Sequence, residues 1–162
     1  MAEARIFDRL KADHDRHREL LDRIDATRGD SDDRAILFET FRVEVTAHAA
    51  SEEMSLYATM LGKPDLRDEA QHSVAEHKEI EDLLTELYEM DFGSTGWLTR
   101  FRTMKDRYLH HIEEEEEEMF PEAEEGLSAA KKKEIAAIFE KEKPKEKAKA
   151  AADEPSSDDE KE

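Results

Sequence analysis

Residues 12–24 read ADHDRHRELLDRI and residues 75–87 read AEHKEIEDLLTEL, and the two stretches align without a gap at a shift of 63 residues. His14 falls on His77, while Leu20 and Leu21 fall on Leu83 and Leu84. The same shift lays HAASEEMSLY, residues 48–57, over HIEEEEEEMF, residues 111–120, so that His48 matches His111 and Glu52 matches Glu115. Phe38 likewise falls on Phe101. One offset serving two separated pairs of segments marks a duplication, and a repeat of this kind governs how every single motif is read. Each copy carries one lone histidine and one His-x-x-x-Glu pair.

The fold follows from the spacing of the apolar residues. Only 5 Gly and 4 Pro occur in 162 residues, and they fall between segments of helical periodicity. Helix one is predicted over residues 3–27, with Ile6, Leu10, Leu20, Leu21 and Ile24 inward, ending before the turn Arg28-Gly29-Asp30. Helix two starts after Ser31 or Asp32, carries Ile36, Leu37, Phe41, Val45, Leu56 and Met60, and stops at Gly62-Lys63-Pro64. Helices three and four are predicted over residues 65–90 and 95–125, the latter closed by Gly126. Short loops between long helices make neighbours antiparallel, so the expected architecture is an all-α, up-down-up-down four-helix bundle over residues 1–127, built from a duplicated helical hairpin. Ser128 caps a short accessory helix over 128–142, with Ile135, Ile138 and Phe139 as its stripe. Residues 143–162 are charged, with almost nothing to bury, and are predicted to be a disordered tail.

Composition narrows the chemistry. A hydrophobic content of 37% over 162 residues supports one core and one domain. No apolar stretch approaches the roughly 18 residues of a membrane span, and the charged start MAEARIFDRL lacks the apolar centre of a secretory signal, so a cytoplasmic setting is expected. Zero cysteines agree with a reducing compartment and exclude thiolate ligands and cysteine nucleophiles. A formal charge of -19 disfavours nucleic acid and anionic lipid as partners. Any metal must be held by His, Asp or Glu.

Six such side chains share one level of the predicted bundle. In His-x-x-x-Glu the two residues lie one turn apart on a single helix face. At 1.5 Å per residue, His14 sits roughly 20 Å before the first loop and His48 roughly 24 Å after it, and the second hairpin repeats this arithmetic. His14, His48, Glu52, His77, His111 and Glu115 are therefore the candidate metal ligands. The other members of the glutamate run, Glu113, Glu114 and Glu116 to Glu118, read as solvated or as braces behind a ligand. A ferritin-like site needs two Glu-x-x-His motifs, and only Glu69-Ala70-Gln71-His72 fits. No glycine-rich phosphate loop or Ser-His-Asp arrangement is present.

The segments ADH, HAASEEMSLY, AEHKEIEDLL and HHIEEEEEEMFP, in that order along helices one to four, resemble the motifs of hemerythrin-like HHE cation-binding domains. The resemblance implies a four-helix bundle around a non-haem di-iron centre. It assigns His14, His48, His77 and His111 as terminal ligands, and Glu52 and Glu115 as bridges beside an oxo or hydroxo group. Imidazole and carboxylate donors without thiolate suit iron, with manganese as the alternative. Oxygen-carrying hemerythrins have His-x-x-x-His on helix three, whereas this chain has Ser73 four residues before His77 and Glu81 four after it. His72, five before His77, is rotated about 140° away unless a helix bulge intervenes. His17 matches Ile80 in the repeat and reads as an inward core or bracing residue, and His110 as packing against a neighbouring helix.

Coordination counting turns that departure into a functional expectation. Of about twelve positions on two six-coordinate irons, four histidines, two bridging carboxylates and an oxo or hydroxo bridge fill about ten. A site with about two open positions leans away from simple oxygen carriage, toward reacting with or sensing dioxygen, peroxide or nitric oxide, or responding to iron. The alternative expectation is an iron-storing, iron-sensing or oxygen-binding module that signals through a protein partner without catalysis.

Overall fold

The computed structural model describes residues 5–153, and every regular element among them is helical. Helix one is Ile6–Asp25. Gly29, at φ 56°, makes the turn after it, a conformation that carries no steric cost for glycine. Ser31 then caps helix two by accepting the Arg34 N–H, as the sequence predicts. Helix two runs as Asp32–Glu52, passes through a π-helical turn, Glu53–Tyr57, and finishes as Ala58–Leu61. Helix three is Pro64–Glu89, started by a proline whose missing N–H falls in the first turn. Helix four repeats the pattern of helix two: Thr95–Glu114, a π-helical turn Glu115–Met119, and Phe120–Gly126.

Two apolar clusters flank the predicted ligand level. One gathers Leu20, Leu21, Ile24, Phe38, Phe41, Leu84, Leu87, Trp97 and Phe101. The other gathers Ile6, Phe7, Leu10, Leu56, Met60, Leu66, Met119, Phe120, Ile135 and Phe139. The histidines and glutamates occupy the layer between them, so burial of apolar surface on both sides holds a polar layer in place. Ile36, expected inward, is 63% exposed, because the inward face at the start of helix two is taken by Arg34 and Phe38. The Arg34 guanidinium donates to Thr27 O and Phe92 O and lies 4.8 Å from the Trp97 ring centre, tying two loops to the core.

The C-terminal segment corrects the sequence reading. The fifth helix is Ala129–Ala152, 24 residues long, and it passes through Pro144. The short helix over 128–142 therefore continues across the first ten residues of the predicted tail, and residues 154–162 lie outside the described part. Proline costs a helix one hydrogen bond and a ring clash with the preceding turn. The contacts that offset this are polar and leave no trace in the apolar periodicity of the segment. Lys143 is buried and donates to Asp13, Lys147 pairs with Glu44 at 2.8 Å, and Arg42 donates to the Ala150 carbonyl. Helix five lies along helix two over this length. Deleting residues 143–162 is expected to lower Tm by several degrees, corresponding to about 1–3 kcal/mol. Unchanged thermal unfolding of that truncation would show that these ion pairs hold nothing.

Candidate metal centre

All six predicted ligands are buried and meet in one layer. Each of the four imidazoles is fixed from behind through Nδ1. His14 Nδ1–H donates to Glu116 at 2.7 Å, His48 to Asp13 at 2.8 Å, His77 to Glu53 at 2.8 Å and His111 to Glu76 at 2.7 Å. A carboxylate accepting from Nδ1 puts the ring proton there and leaves Nε2 as a bare lone pair, the tautomer a metal requires. The four bracing carboxylates obey the 63-residue shift too, Asp13 falling on Glu76 and Glu53 on Glu116.

The inward atoms form two imidazole pairs joined by two carboxylates. The rings of His14 and His48 are 5.1 Å apart and those of His77 and His111 4.8 Å apart, centre to centre. Glu52 Oε1 lies 3.5 Å from His48 Nε2 and 3.4 Å from His77 Nε2. Glu115 Oε1 lies 3.2 Å from His14 Nε2 and 3.9 Å from His111 Nε2. Each glutamate therefore reaches one imidazole of either pair, which is what a bridging carboxylate needs. Ligand atoms of His14, His48, Glu52 and Glu115 all lie within 4.8 Å of one another. Among the described residues, His14 Nε2, His48 Nε2, both Glu52 oxygens and Glu115 Oε1 have no hydrogen-bond partner. Buried polar atoms left unpaired cost several kcal/mol as a group, and a cation among them removes that cost. The residues fit metal binding by a His/carboxylate set.

Protonation without a cation shows the same frustration. Burial pushes Glu52 well above the usual carboxylate range, and the facing charge of Glu115 pushes the same way. Burial opposes ionisation of Glu115 as well, but the neighbouring Glu52 carboxyl and His14 hold it below the usual carboxylate range, so the two glutamates shift in opposite directions. Burial depresses His48 to about 4 and also lowers His77. Burial acts on His14 likewise, yet Glu115 and Glu116 outweigh it and raise that pKa.

The two π-helical turns re-aim the residues that follow Glu52 and Glu115. In helix two the Ala58 N–H reaches Glu53 O, and in helix four the Phe120 N–H reaches Glu115 O, both five-residue spans. On an α-helix, a residue five positions on is rotated about 140° off the starting face. The wider turn returns it, so Tyr57 follows Glu52 into the layer and Phe120 follows Glu115. The matched positions differ chemically. Phe120 stacks on His14, with ring centres 6.0 Å apart, whereas the Tyr57 hydroxyl donates to Glu115 Oε2 and lies 3.4 Å from His77 Nε2. Tyr57 is the site residue that α-helical spacing hides; its signal is the Tyr/Phe mismatch within the repeat.

The remaining histidines divide cleanly. His17 is fully buried, in ring contact with His14 and His48, and its Nδ1 pairs with the Tyr108 hydroxyl at 2.7 Å. Helix three has no bulge, so His72 stays off the centre, its side chain 61% exposed, and meets Glu76 at 3.1 Å. His110, expected to pack against a helix, is instead an exposed side chain beside Glu114, because its position on helix four faces away from the bundle. Glu116 takes the bracing role of the two open to it, while Glu114 is only half-buried.

The halves are braced differently. Burial alone would raise Asp13, but His48, Lys143 and Arg9 hold its carboxyl well below the usual range. Under the repeat Arg9 falls on His72, and each contacts the bracing carboxylate four residues on. On the His77 and His111 side, a cleft of about 170 Å³ lined by His72, Ser73, Glu114 and Glu115 runs to the surface. Glu69 lines it too, its pKa raised to about 7 by burial and by Glu122, Glu118 and Glu114.

Asp13→Asn keeps the shape of the brace but weakens its hold on the His48 proton, so metal affinity should fall roughly 10–100-fold in a chelator competition. Equal affinity would mean that Asp13 does not orient His48. For Glu69, the folded-state pKa lies above the unfolded one, so the native state binds the extra proton between roughly pH 4.5 and 7 and stability falls as pH rises through that window. Glu69→Gln is expected to raise Tm at pH 8 and leave it unchanged at pH 4. A uniform shift at both values would refute the assignment.

The model of the hemerythrin HHE cation binding domain matches residues 5–123, which hold all six predicted ligands and the four carboxylates behind them. No curated protein is matched. Among solved structures, that of a hemerythrin HHE cation binding domain-containing protein from Mycobacterium kansasii is similar, with a TM-score of 0.78 and 21% identity over 91% of this chain and 90% of that one. At that identity the likeness speaks to the fold alone. The chain belongs to the hemerythrin HHE cation-binding domain family.

Proposed function

We propose that this protein holds two irons, bridged by Glu52 and Glu115 and capped by His14 with His48 and by His77 with His111, and that the centre reacts with dioxygen, peroxide or nitric oxide rather than carrying oxygen. Manganese shares the ligand preference and is the alternative occupant. The observation that carries the reading is the placement of the two carboxylates, each within 4 Å of an imidazole from either pair. Helices one to four are taken as an antiparallel bundle, supported by the opposite order in which consecutive helices cross the two apolar clusters. The cysteine-free composition supports a cytoplasmic setting, and no helix of the described residues is long and apolar enough to cross a membrane.

The two halves suggest a division of labour. His17 crowds the His14 and His48 pair with a third imidazole, whereas Ile80 is its counterpart beside His77. At the helix-three position where oxygen carriers hold another histidine stands Ser73, next to the cleft, and Tyr57 occupies the adjoining space. A small ligand is thus received on the His77 and His111 side. When bound, the metal pair supplies redox equivalents and Lewis acidity. Tyr57 holds a proton at Oη against Glu115 Oε2, and burial raises its pKa well above the normal phenol value, so the proton stays on the phenol and orients whatever enters.

Iron analysis with optical spectra of the reduced protein, before and after exposure to each ligand, tests this. About two irons per chain are expected, most of them lost in His48→Ala and His111→Ala, with a changed spectrum in Glu115→Gln and a mild effect in Glu114→Gln. Full iron retention in both histidine variants would sink the assignment. Multiple-turnover consumption of peroxide or nitric oxide supports the reactive reading; ligand binding without turnover supports a sensing module instead.

A further inference from the structure

A second group of metal-binding side chains lies outside the centre. His72, Glu76 and Glu114 offer one ligand atom each within 4.8 Å of one another, and His72 Nε2 stands 3.1 Å from Glu76 and 3.5 Å from Glu114. The group sits at the mouth of the cleft described above. Glu69 and Glu118 add carboxylates to its wall, and the Glu69 oxygen Oε1 is buried without a hydrogen-bond partner. The inner end of the cleft is Glu115, whose side chain is fully buried and whose Oε1 has no hydrogen-bond partner either. A single cavity thus joins His72 and Glu114 of the surface trio to the Glu115 carboxylate.

We propose that His72 and Glu114, with Glu76, form a loading site that captures a divalent cation, Fe(II) above all, and passes it along the Glu69 and Glu118 wall to Glu115. The inference rests on the di-iron reading of the centre. Three lines of chemistry support it. A cleft with one sign of charge focuses counter-ions and raises their capture rate, and the whole chain carries a formal charge of -19. One imidazole with two carboxylates, on an exposed and adjustable surface, binds Fe(II) or Mn(II) weakly enough to release it inward. In the opposite half, Arg9 and Lys143, both cations, stand on Asp13 where His72 stands on Glu76. Capture is therefore one-sided, on the same side as Ser73 and Tyr57.

A structural rival exists, because His72 also braces Glu76 as Arg9 braces Asp13. His72→Arg separates the two roles, keeping a cationic brace on Glu76 while removing a metal ligand and repelling cations. The experiment strips the full-length chain of metal, adds Fe(II) anaerobically in rapid mixing, and follows uptake by absorbance, with final stoichiometry by elemental analysis. His72→Arg and Glu114→Gln are expected to slow uptake roughly ten-fold while reaching the wild-type iron content. Wild-type uptake should also show saturation with Fe(II) and competition by Zn(II), both lost in the double variant. Wild-type uptake rates in His72→Arg, with full iron content, would overturn the loading site and leave the di-iron centre standing. Failure of the wild-type chain to take up iron at all would overturn the centre itself.

Discussion

Glu52 and Glu115 face each other in a layer sealed from water on both sides by apolar clusters, and the rest of the structure is arranged around that constraint. Two carboxylates in such a place repel and pay the cost of desolvation, so without a cation they must share a proton. Neither apolar cluster can relieve this by relaxing, since each is packed against the same helices that carry the glutamates. The four imidazoles add to it by turning their Nε2 lone pairs inward, which completes a donor set for positive charge. The outer carboxylates Asp13, Glu53, Glu76 and Glu116 then become necessary, because an imidazole free to rotate would present Nδ1–H to the centre as readily as Nε2. The polar layer is thus built outward in shells, each correcting the electrostatic need of the one inside it.

Much of this was legible in the residues because the repeat doubles every signal. His14 alone is an ordinary helix residue; His14 and His77 in matched segments, with His48-x-x-x-Glu52 over His111-x-x-x-Glu115, bring out the six side chains that meet in the buried layer. The same alignment contained the braces, since Asp13 falls on Glu76 and Glu53 on Glu116, but among 44 acidic residues a matched carboxylate is a faint signal. What the spacing concealed is the π-helical turn. Periodicity assumes a constant angle per residue, and a single wide turn after each bridging glutamate resets the face for everything beyond it. Tyr57 is inward for that reason, and His72 is outward because helix three has no such turn.

The C-terminal helix illustrates a different blind spot. Residues beyond Pro144 have little apolar surface, so an argument from burial assigns them no structure. Their order comes instead from charge complementarity to an acidic protein: Lys143 to Asp13 and Glu44, Lys147 to Glu44. Composition averaged over a segment cannot show that Lys143 and Lys147 lie one turn apart on one face, opposite Asp13 on helix one and Glu44 on helix two. The consequence reaches the centre, because Asp13 is at once the acceptor for Lys143 and for His48.

The deepest asymmetry is therefore electrostatic. A duplicated hairpin would present two equivalent metal positions, yet the first half is closed by Arg9 and Lys143 on Asp13, by Arg18 on Glu116 and by the buried ring of His17. The second half has His72 on Glu76, a half-exposed Glu53 on His77, and Ser73 beside a cleft. Cations fixed on the bracing carboxylates draw negative charge away from the ligand imidazoles they serve, and a buried lysine near one pair but not the other makes the two positions unequal in potential as well as access. The His14 and His48 side is thereby the more enclosed, and the His77 and His111 side the more open. Duplication supplied two copies of one His/Glu set, and divergence of Arg9 from His72, His17 from Ile80, and Tyr57 from Phe120 made their surroundings unequal.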